Sequence, residues 1–174
     1  MKRPRRAVFL DKDGTLVRDY PYNGDPELVR PVPGAREALD ALRARGVRVG
    51  VVSNQSGVAR GIITREQVDA CMARLEELLG PFDTLQVCPH GPEDGCACRK
   101  PAPGMVAMAC AELGVEPARC VVVGDIAADV DAAAGFVKEG APVNDELMRV
   151  ARDDWASTRL MRDRRSPRKG RPGS

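Results

Sequence analysis

Asp11-Lys12-Asp13-Gly14-Thr15 follows a short apolar run, Ala7 to Leu10, and sets two carboxylates two positions apart where the chain should turn. A carboxylate placed there can attack phosphorus and carry the phosphoryl group as an acyl phosphate. Its neighbour can protonate the leaving alcohol and later activate water. Gly14 and Thr15 allow a sharp turn and offer N–H groups to an anion. Two adjacent acids repel, so a hard cation such as Mg2+ is expected among them. Taken alone, the same residues also read as a solvated acidic turn.

Three further stretches fit the same chemistry. Ser53 and Asn54 are small hydrogen-bonding residues after the apolar run that begins at Val47, suited to a phosphoryl oxygen. Lys100, in Cys98-Arg99-Lys100-Pro101, can neutralise charge shared by a nucleophile and a phosphoryl group. Gly124-Asp125 ends another apolar run, with Asp129 one helical turn later; Asp125 suits a metal ligand, and Asp129 could ligate or simply hydrogen-bond the loop. Each stretch alone has an ordinary reading, as a strand exit or a surface cation.

A second cluster is of a different kind. Cys88-x-His90, five residues, then Cys96-x-Cys98 gathers three of the six cysteines and the only histidine. This ligand set suits tetrahedral Zn2+, and a fully protein-ligated zinc has no open position, so its role is structural. A disulfide and spare thiols are the alternatives. A reducing cytosol argues against the first, and the second leaves the position of the lone histidine without a reason. Cys71, Cys110 and Cys120 lie on apolar patterns and read as core.

The elements that must position these residues alternate along the chain. Residues 7–11, 47–54, 83–88 and 120–125 read as strands, and 33–46, 64–80, 103–114 and 127–135 as helices. Thr64-x-x-Gln67 is a capping-box signature. Such alternation predicts a three-layer α/β domain with a Rossmann-like parallel sheet. Its ligand site lies beyond the carboxyl ends of the strands, where Asp11, Ser53 and Asp125 all fall.

The chain has 174 residues, 43% of them hydrophobic and 3% aromatic, so one domain with an aliphatic core is expected. No apolar run approaches the roughly 18 residues of a membrane span, and Ala7–Leu10 is too short for a signal peptide; a cytoplasmic protein is expected. Residues 2–6 carry four positive charges and residues 159–174 a net of +6; subtracting these ends from the total of +2 leaves 7–158 at −8. The expected division is a basic extension over 1–6, a catalytic body over 7–158 and a basic disordered tail over 159–174. The tail has no interleaved aromatic for stacking on bases. Nucleic acid is therefore not the expected partner, although a zinc-stabilised nucleic-acid-binding module is the competing reading from another functional class.

In this order the four rim motifs resemble those of the haloacid dehalogenase-like (HAD) phosphohydrolase superfamily, over about residues 7–135. The resemblance implies phosphate monoester hydrolysis through a covalent aspartyl-phosphate. It implies Asp11 as nucleophile, Asp13 as general acid/base, and Ser53 and Lys100 as phosphoryl stabilisers. Mg2+ would be held by Asp11, Asp125 and, through its backbone carbonyl, Asp13. The gaps after the first two strands are too short for a cap domain, so loops must select the substrate. The zinc loop and Asn54-Gln55-Ser56-Gly57-Val58-Ala59-Arg60-Gly61 are similar to the branch of heptose-bisphosphate and histidinol-phosphate phosphatases. The second stretch points to the heptose side and the short His90–Cys96 spacing to the histidinol side. The heptose bisphosphate is the preferred expectation, with its 7-phosphate removed by a monomer. By the same resemblance, Asp19, Tyr20, Pro21, Tyr22, Asn54, Gln55, Ser56 and Arg99 would contact this small phosphorylated sugar. After about residue 135 the chain departs from the superfamily pattern: a last edge strand is expected to be missing or replaced, with a helix around 144–156 instead.

Overall fold

The computed structural model describes residues 6–125, 128–129 and 131–132. Four strands, β1 (Ala7–Leu10), β2 (Arg48–Asn54), β3 (Thr84–Cys88) and β4 (Cys120–Val123), alternate with α1 (Ala35–Ala44), α2 (Arg65–Leu79) and α3 (Gly104–Leu113). Every pairing is parallel and the order across the sheet is β3-β2-β1-β4. Each expected strand and helix up to residue 125 is present. Two short 3-10 turns, Pro26–Leu28 and Pro117–Arg119, had no periodic signal to announce them. Ala128, Asp129, Asp131 and Ala132 are helical, within the helix expected over 127–135. The expected helix at 144–156, the expected loss or replacement of the edge strand and the basic tail lie outside the described residues.

The sheet separates two apolar layers, because alternate side chains of a strand point to opposite faces. Val8, Leu10, Val49 and Val51 pack with Leu39 and Leu42 of α1 and with Val68, Cys71, Met72 and Leu75 of α2. Ala7, Phe9 and Val52 face Met105, Val106, Ala109 and Cys110 of α3 on the other side, joined by Ala132. Burial on both faces explains why the strands read as continuous apolar runs rather than alternating ones. Phe9 is in register with Gly50. A Cβ at Gly50 would come 2.9 Å from the Phe9 ring and 2.5 Å from the Thr84 methyl, so the absent side chain makes room for the largest residue of that layer.

The helices end where the sequence marks them. Thr64 Oγ1 accepts from Gln67 N and the Gln67 side chain accepts from Thr64 N, a closed capping box at the start of α2. Gly114, at φ 59°, ends α3 in the left-handed conformation that glycine favours. Among the described residues no helix is long and apolar enough to cross a membrane.

Candidate active site

β1 sits between β2 and β4. The chain therefore leaves the sheet in opposite directions on either side of it, and this is where an open parallel sheet forms a crevice. Asp11 N donates to Val123 O at 2.9 Å, extending the β1–β4 ladder by one bond. That bond sets the first residue after β1 beside the end of β4. Oxygens of Asp11, Asp125 and Asp129 consequently lie within 4.8 Å of one another.

Space for this cluster comes from two glycines. Gly14, at φ 77°, turns the loop back, and a Cβ on it would stand 2.4 Å from Asp125 Oδ2. A Cβ on Gly124 would meet Asp129 Oδ2 at 2.0 Å.

One cation lies inside the cluster. Lys100 Nζ, on a residue only 3% exposed, donates to Asp11 Oδ1 at 2.7 Å, to Val52 O at 2.8 Å and to Asp129 Oδ1 at 2.5 Å. Burial pushes the Asp11 carboxyl from 3.8 up to about 6, against the opposing pull of Lys100 and with smaller pushes from Asp129 and Asp13. A carboxylate here is thus short of positive charge even with the lysine in contact. Carboxylate oxygens gathered this closely and short of positive charge form a set of hard donors that suits Mg2+.

Asp13 is turned differently. Lys12 Nζ reaches its Oδ1 at 2.5 Å and Gln55 Nε2 its Oδ2 at 2.8 Å. Its carboxylate is not in the metal-type cluster, which leaves its main-chain carbonyl as the group expected to face a cation. The same Gln55 amide donates to Ser53 Oγ at 2.9 Å. Gln55, expected at the substrate, is 6% exposed and ties the acid to the hydroxyl.

Asn54 also does more than expected. Its Nδ2 donates to Lys100 O at 3.0 Å, and Lys100 N donates to its Oδ1 at 3.1 Å. Asn54 is in register with Cys88 across β2 and β3. It therefore touches both ends of the segment that leaves β3 at Cys88 and returns at Lys100.

That segment is closed by the expected Cys3His set. Cys88, His90, Cys96 and Cys98 offer ligand atoms all within 4.8 Å of one another. Cys88 Sγ is 3.5 Å from His90 Nδ1, 3.7 Å from Cys96 Sγ and 3.3 Å from Cys98 Sγ; His90 Nδ1 is 3.2 Å from Cys98 Sγ. Tetrahedral zinc at ordinary bond lengths would separate its ligand atoms by about 3.5–3.8 Å, so the four are gathered at about the right size. Burial holds the Cys88 thiol up at about 12. At Cys96 burial also acts upward, but the amide of Arg99, the neighbouring thiols and the amide of Cys98 outweigh it and bring the thiol down to about 7. A cation that favours thiolates is what this cluster needs to be stable in its ionised form.

The remaining expected residues lie on loops. Arg99 is held by a 3.2 Å bond from its Nη1 to His90 O. Ser56 accepts from Arg60 N through its carbonyl at 3.2 Å, and Ala59 N donates to Pro89 O at 3.2 Å, which seats this loop against the Cys3His segment. Asp19, Tyr20, Pro21 and Tyr22 form an exposed loop. Tyr22 is the only non-glycine residue at positive φ among the described residues. Arg60 stands over its ring, 5.5 Å from the centroid. Tyr20, Pro21 and Tyr22 line a cleft of about 480 Å3 with Ile63 and Gln67.

Two members of the site were not assigned from the sequence. Asp129, 0% exposed, reads from the sequence as either a ligand or a loop support, and its spacing of one helical turn from Asp125 is its only signal. Lys12, 2% exposed, gave no signal, because a lysine between two aspartates reads as a solvated cation.

The profile of the haloacid dehalogenase-like hydrolase family matches residues 20–136, a span that begins after Asp11 and Asp13. D-glycero-beta-D-manno-heptose-1,7-bisphosphate 7-phosphatase of Pasteurella multocida is 34% identical over 159 residues, covering 82% of this chain and 86% of that protein. The enzyme of the same name from Pseudomonas aeruginosa is 39% identical over 136 residues, covering 74% and 75%. The crystal structure of D,D-heptose 1,7-bisphosphate phosphatase from B. bronchiseptica, complexed with magnesium and phosphate, is 34% identical with a TM-score of 0.69, covering 75% of this chain and 76% of that one. A putative HAD-like phosphatase from Mesorhizobium loti reaches 0.72 at 31% identity, covering 93% and 90%.

Proposed function

The chain belongs to the haloacid dehalogenase-like hydrolase family, among its heptose-bisphosphate 7-phosphatases, and on that premise we propose that it removes the 7-phosphate of D-glycero-D-manno-heptose 1,7-bisphosphate. The curated relatives carry the β anomer in their names. The observation that carries the reading is the buried ammonium of Lys100 bonded to Asp11 inside the carboxylate cluster. A nucleophilic carboxylate meeting an anionic phosphoryl group needs such a cation.

In this reading an Asp11 oxygen attacks phosphorus and forms an aspartyl-phosphate, while Asp13, carrying a proton, delivers it to the departing alkoxide. Asp13 then takes a proton from water, the resulting hydroxide attacks phosphorus, and Asp11 and inorganic phosphate are released. Gln55 sets the direction of the acid and of Ser53 together. Ser53 Oγ accepts from Gln55, so its hydroxyl proton is available to a phosphoryl oxygen. Lys100 neutralises the charge gathering between Asp11 and the phosphoryl oxygens.

Asp11, Asp125 and the Asp13 carbonyl would hold Mg2+, with Asp129 close enough to take part. When bound, the cation offsets carboxylate–phosphate repulsion and polarises the phosphoryl group. Cys88, His90, Cys96 and Cys98 would hold Zn2+ and give the loop one shape, and this presents Arg99 to the substrate's second phosphate. Asp19 to Tyr22 and Asn54 to Ser56 would border the sugar. All these groups come from one chain, consistent with a monomer, and we place the activity in the cytoplasm.

Phosphate release with Mg2+ is the test, using heptose 1,7-bisphosphate, histidinol phosphate and simple sugar phosphates. Preference for the heptose bisphosphate, with the 1-phosphate retained, is expected. Preference for histidinol phosphate would overturn the substrate. Unchanged turnover in Asp11→Asn would overturn the mechanism. No turnover on any of them, together with salt-dependent nucleic-acid binding, would favour a non-catalytic module.

A further inference from the structure

A pair of thiols lies outside both clusters of the site. Cys110, on the last turns of α3, and Cys120, the first residue of β4, place their sulfurs 3.2 Å apart. Both are free thiols, and neither belongs to the carboxylate or the Cys3His set. Cys120 Sγ also reaches Glu116 O at 3.4 Å, which holds it in place facing its partner. Cys110, 4% exposed, lines an open cleft of about 490 Å3 with Ala107, Ala111, Gly114 and Pro117, and Cys120 beside it is half-buried. The hydrogen bond between the two lowers the Cys110 thiol and raises that of Cys120, so the thiolate forms on the residue that borders the cleft.

We propose that Cys110 and Cys120 form a thiol–disulfide exchange site that accepts a small-molecule disulfide and becomes a reversible cross-link between α3 and β4. The Cys110 thiolate attacks one sulfur of the disulfide and expels the other as a thiolate, giving a mixed disulfide. Cys120 gives up its proton to that thiolate and attacks the Cys110 sulfur, expelling the second small thiol. Two protein thiols are oxidised and one disulfide is reduced to two thiols; a dithiol reverses the sequence. The cross-link lies at the end of β4 away from Asp125, and Lys100 precedes the opposite end of α3. Oxidation is therefore expected to stabilise the fold and leave hydrolysis intact. The inference rests on the cysteine geometry and is independent of the phosphatase reading.

The test uses the full chain loaded with zinc, so that Cys88, Cys96 and Cys98 are ligated, and treated with oxidised glutathione. Trypsin cuts after Arg119 and separates the two cysteines. A peptide containing Cys110 linked to the one that begins at Cys120, lost again with dithiothreitol, is expected. So are a Tm raised by several degrees and unchanged hydrolysis of p-nitrophenyl phosphate. Cys120→Ser should trap glutathione on Cys110, and Cys110→Ser should leave neither link nor Tm rise. The proposal is overturned if the linked peptide forms only in denaturant, or if glutathione reacts at the Cys3His segment while Cys110 stays reduced.

Discussion

Lys100 holds three oxygens at once, on Asp11, on Asp129 and on the Val52 carbonyl, with almost no access to water. Replacing it with methionine would leave two buried carboxylates facing each other, a change that typically costs about 3–5 kcal/mol. Lys100→Met is therefore expected to lower both Tm and turnover. A normal Tm in metal-free protein would contradict the geometry. Asp11 makes a sharper test because its titration has a direction. The carboxyl rises from 3.8 to about 6 on folding, chiefly through burial. The folded chain thus binds that proton more tightly than the unfolded chain, a contribution fully present below pH 3.8 and lost as pH rises through about 6. Without metal, Asp11→Asn should be more stable than the parent above pH 6, and the gap should close towards pH 4. With Mg2+ the same variant should lose at least about a thousandfold in turnover. Tm profiles against pH, with and without metal, measure the first effect; a variant less stable than its parent at pH 8 would refute it.

At the scale of elements, the Cys3His segment and Asn54 act together. Asn54 pairs with Cys88 in the ladder and clasps the main chain of Lys100, so the loop's two ends are held at one residue of β2. Removing zinc should release the middle of the loop, with Arg99, while Asn54 still anchors Lys100. Chelation, or Cys96→Ser, is expected to raise KM for a bisphosphate more than it lowers kcat on p-nitrophenyl phosphate. Equal loss on both substrates would mean that the clip positions Lys100 instead. Thr64→Ala tests an element with no role in the chemistry. It opens the capping box of α2 and should cost about 1 kcal/mol in denaturant unfolding with kcat unchanged.

At the scale of the molecule, the sheet is a wall between two apolar layers, and Phe9 over Gly50 is a tight point in the α3-side layer. Phe9→Ala should cost about 3–5 kcal/mol. Gly50→Ala should also destabilise, since the new methyl would meet Phe9 and Thr84 at once; a neutral Tm in both would mean that the layer repacks freely. We propose the catalytic body over 7–158 between basic ends as the working division of the chain. Deleting 159–174 should then leave turnover within about twofold.

The sequence by itself determined the strand and helix order, the α2 cap, the Cys3His set and the rim residues Asp11, Ser53, Lys100 and Asp125. These follow from local periodicity, from ligand spacing, and from motif order that survives without coordinates. Only the tertiary structure decided what the side chains do to one another. Lys12 turns inward onto Asp13, Gln55 bridges the acid to Ser53, and Asp129 shares Lys100 with Asp11. Cys110 and Cys120, read from the sequence as ordinary core, stand sulfur to sulfur. None of these contacts has a sequence signature. The Gln55–Asp13, Lys100–Asp129 and Cys110–Cys120 contacts depend on separate elements being laid side by side, and the inward turn of Lys12 on how far burial raises the cost of leaving a charge without a partner.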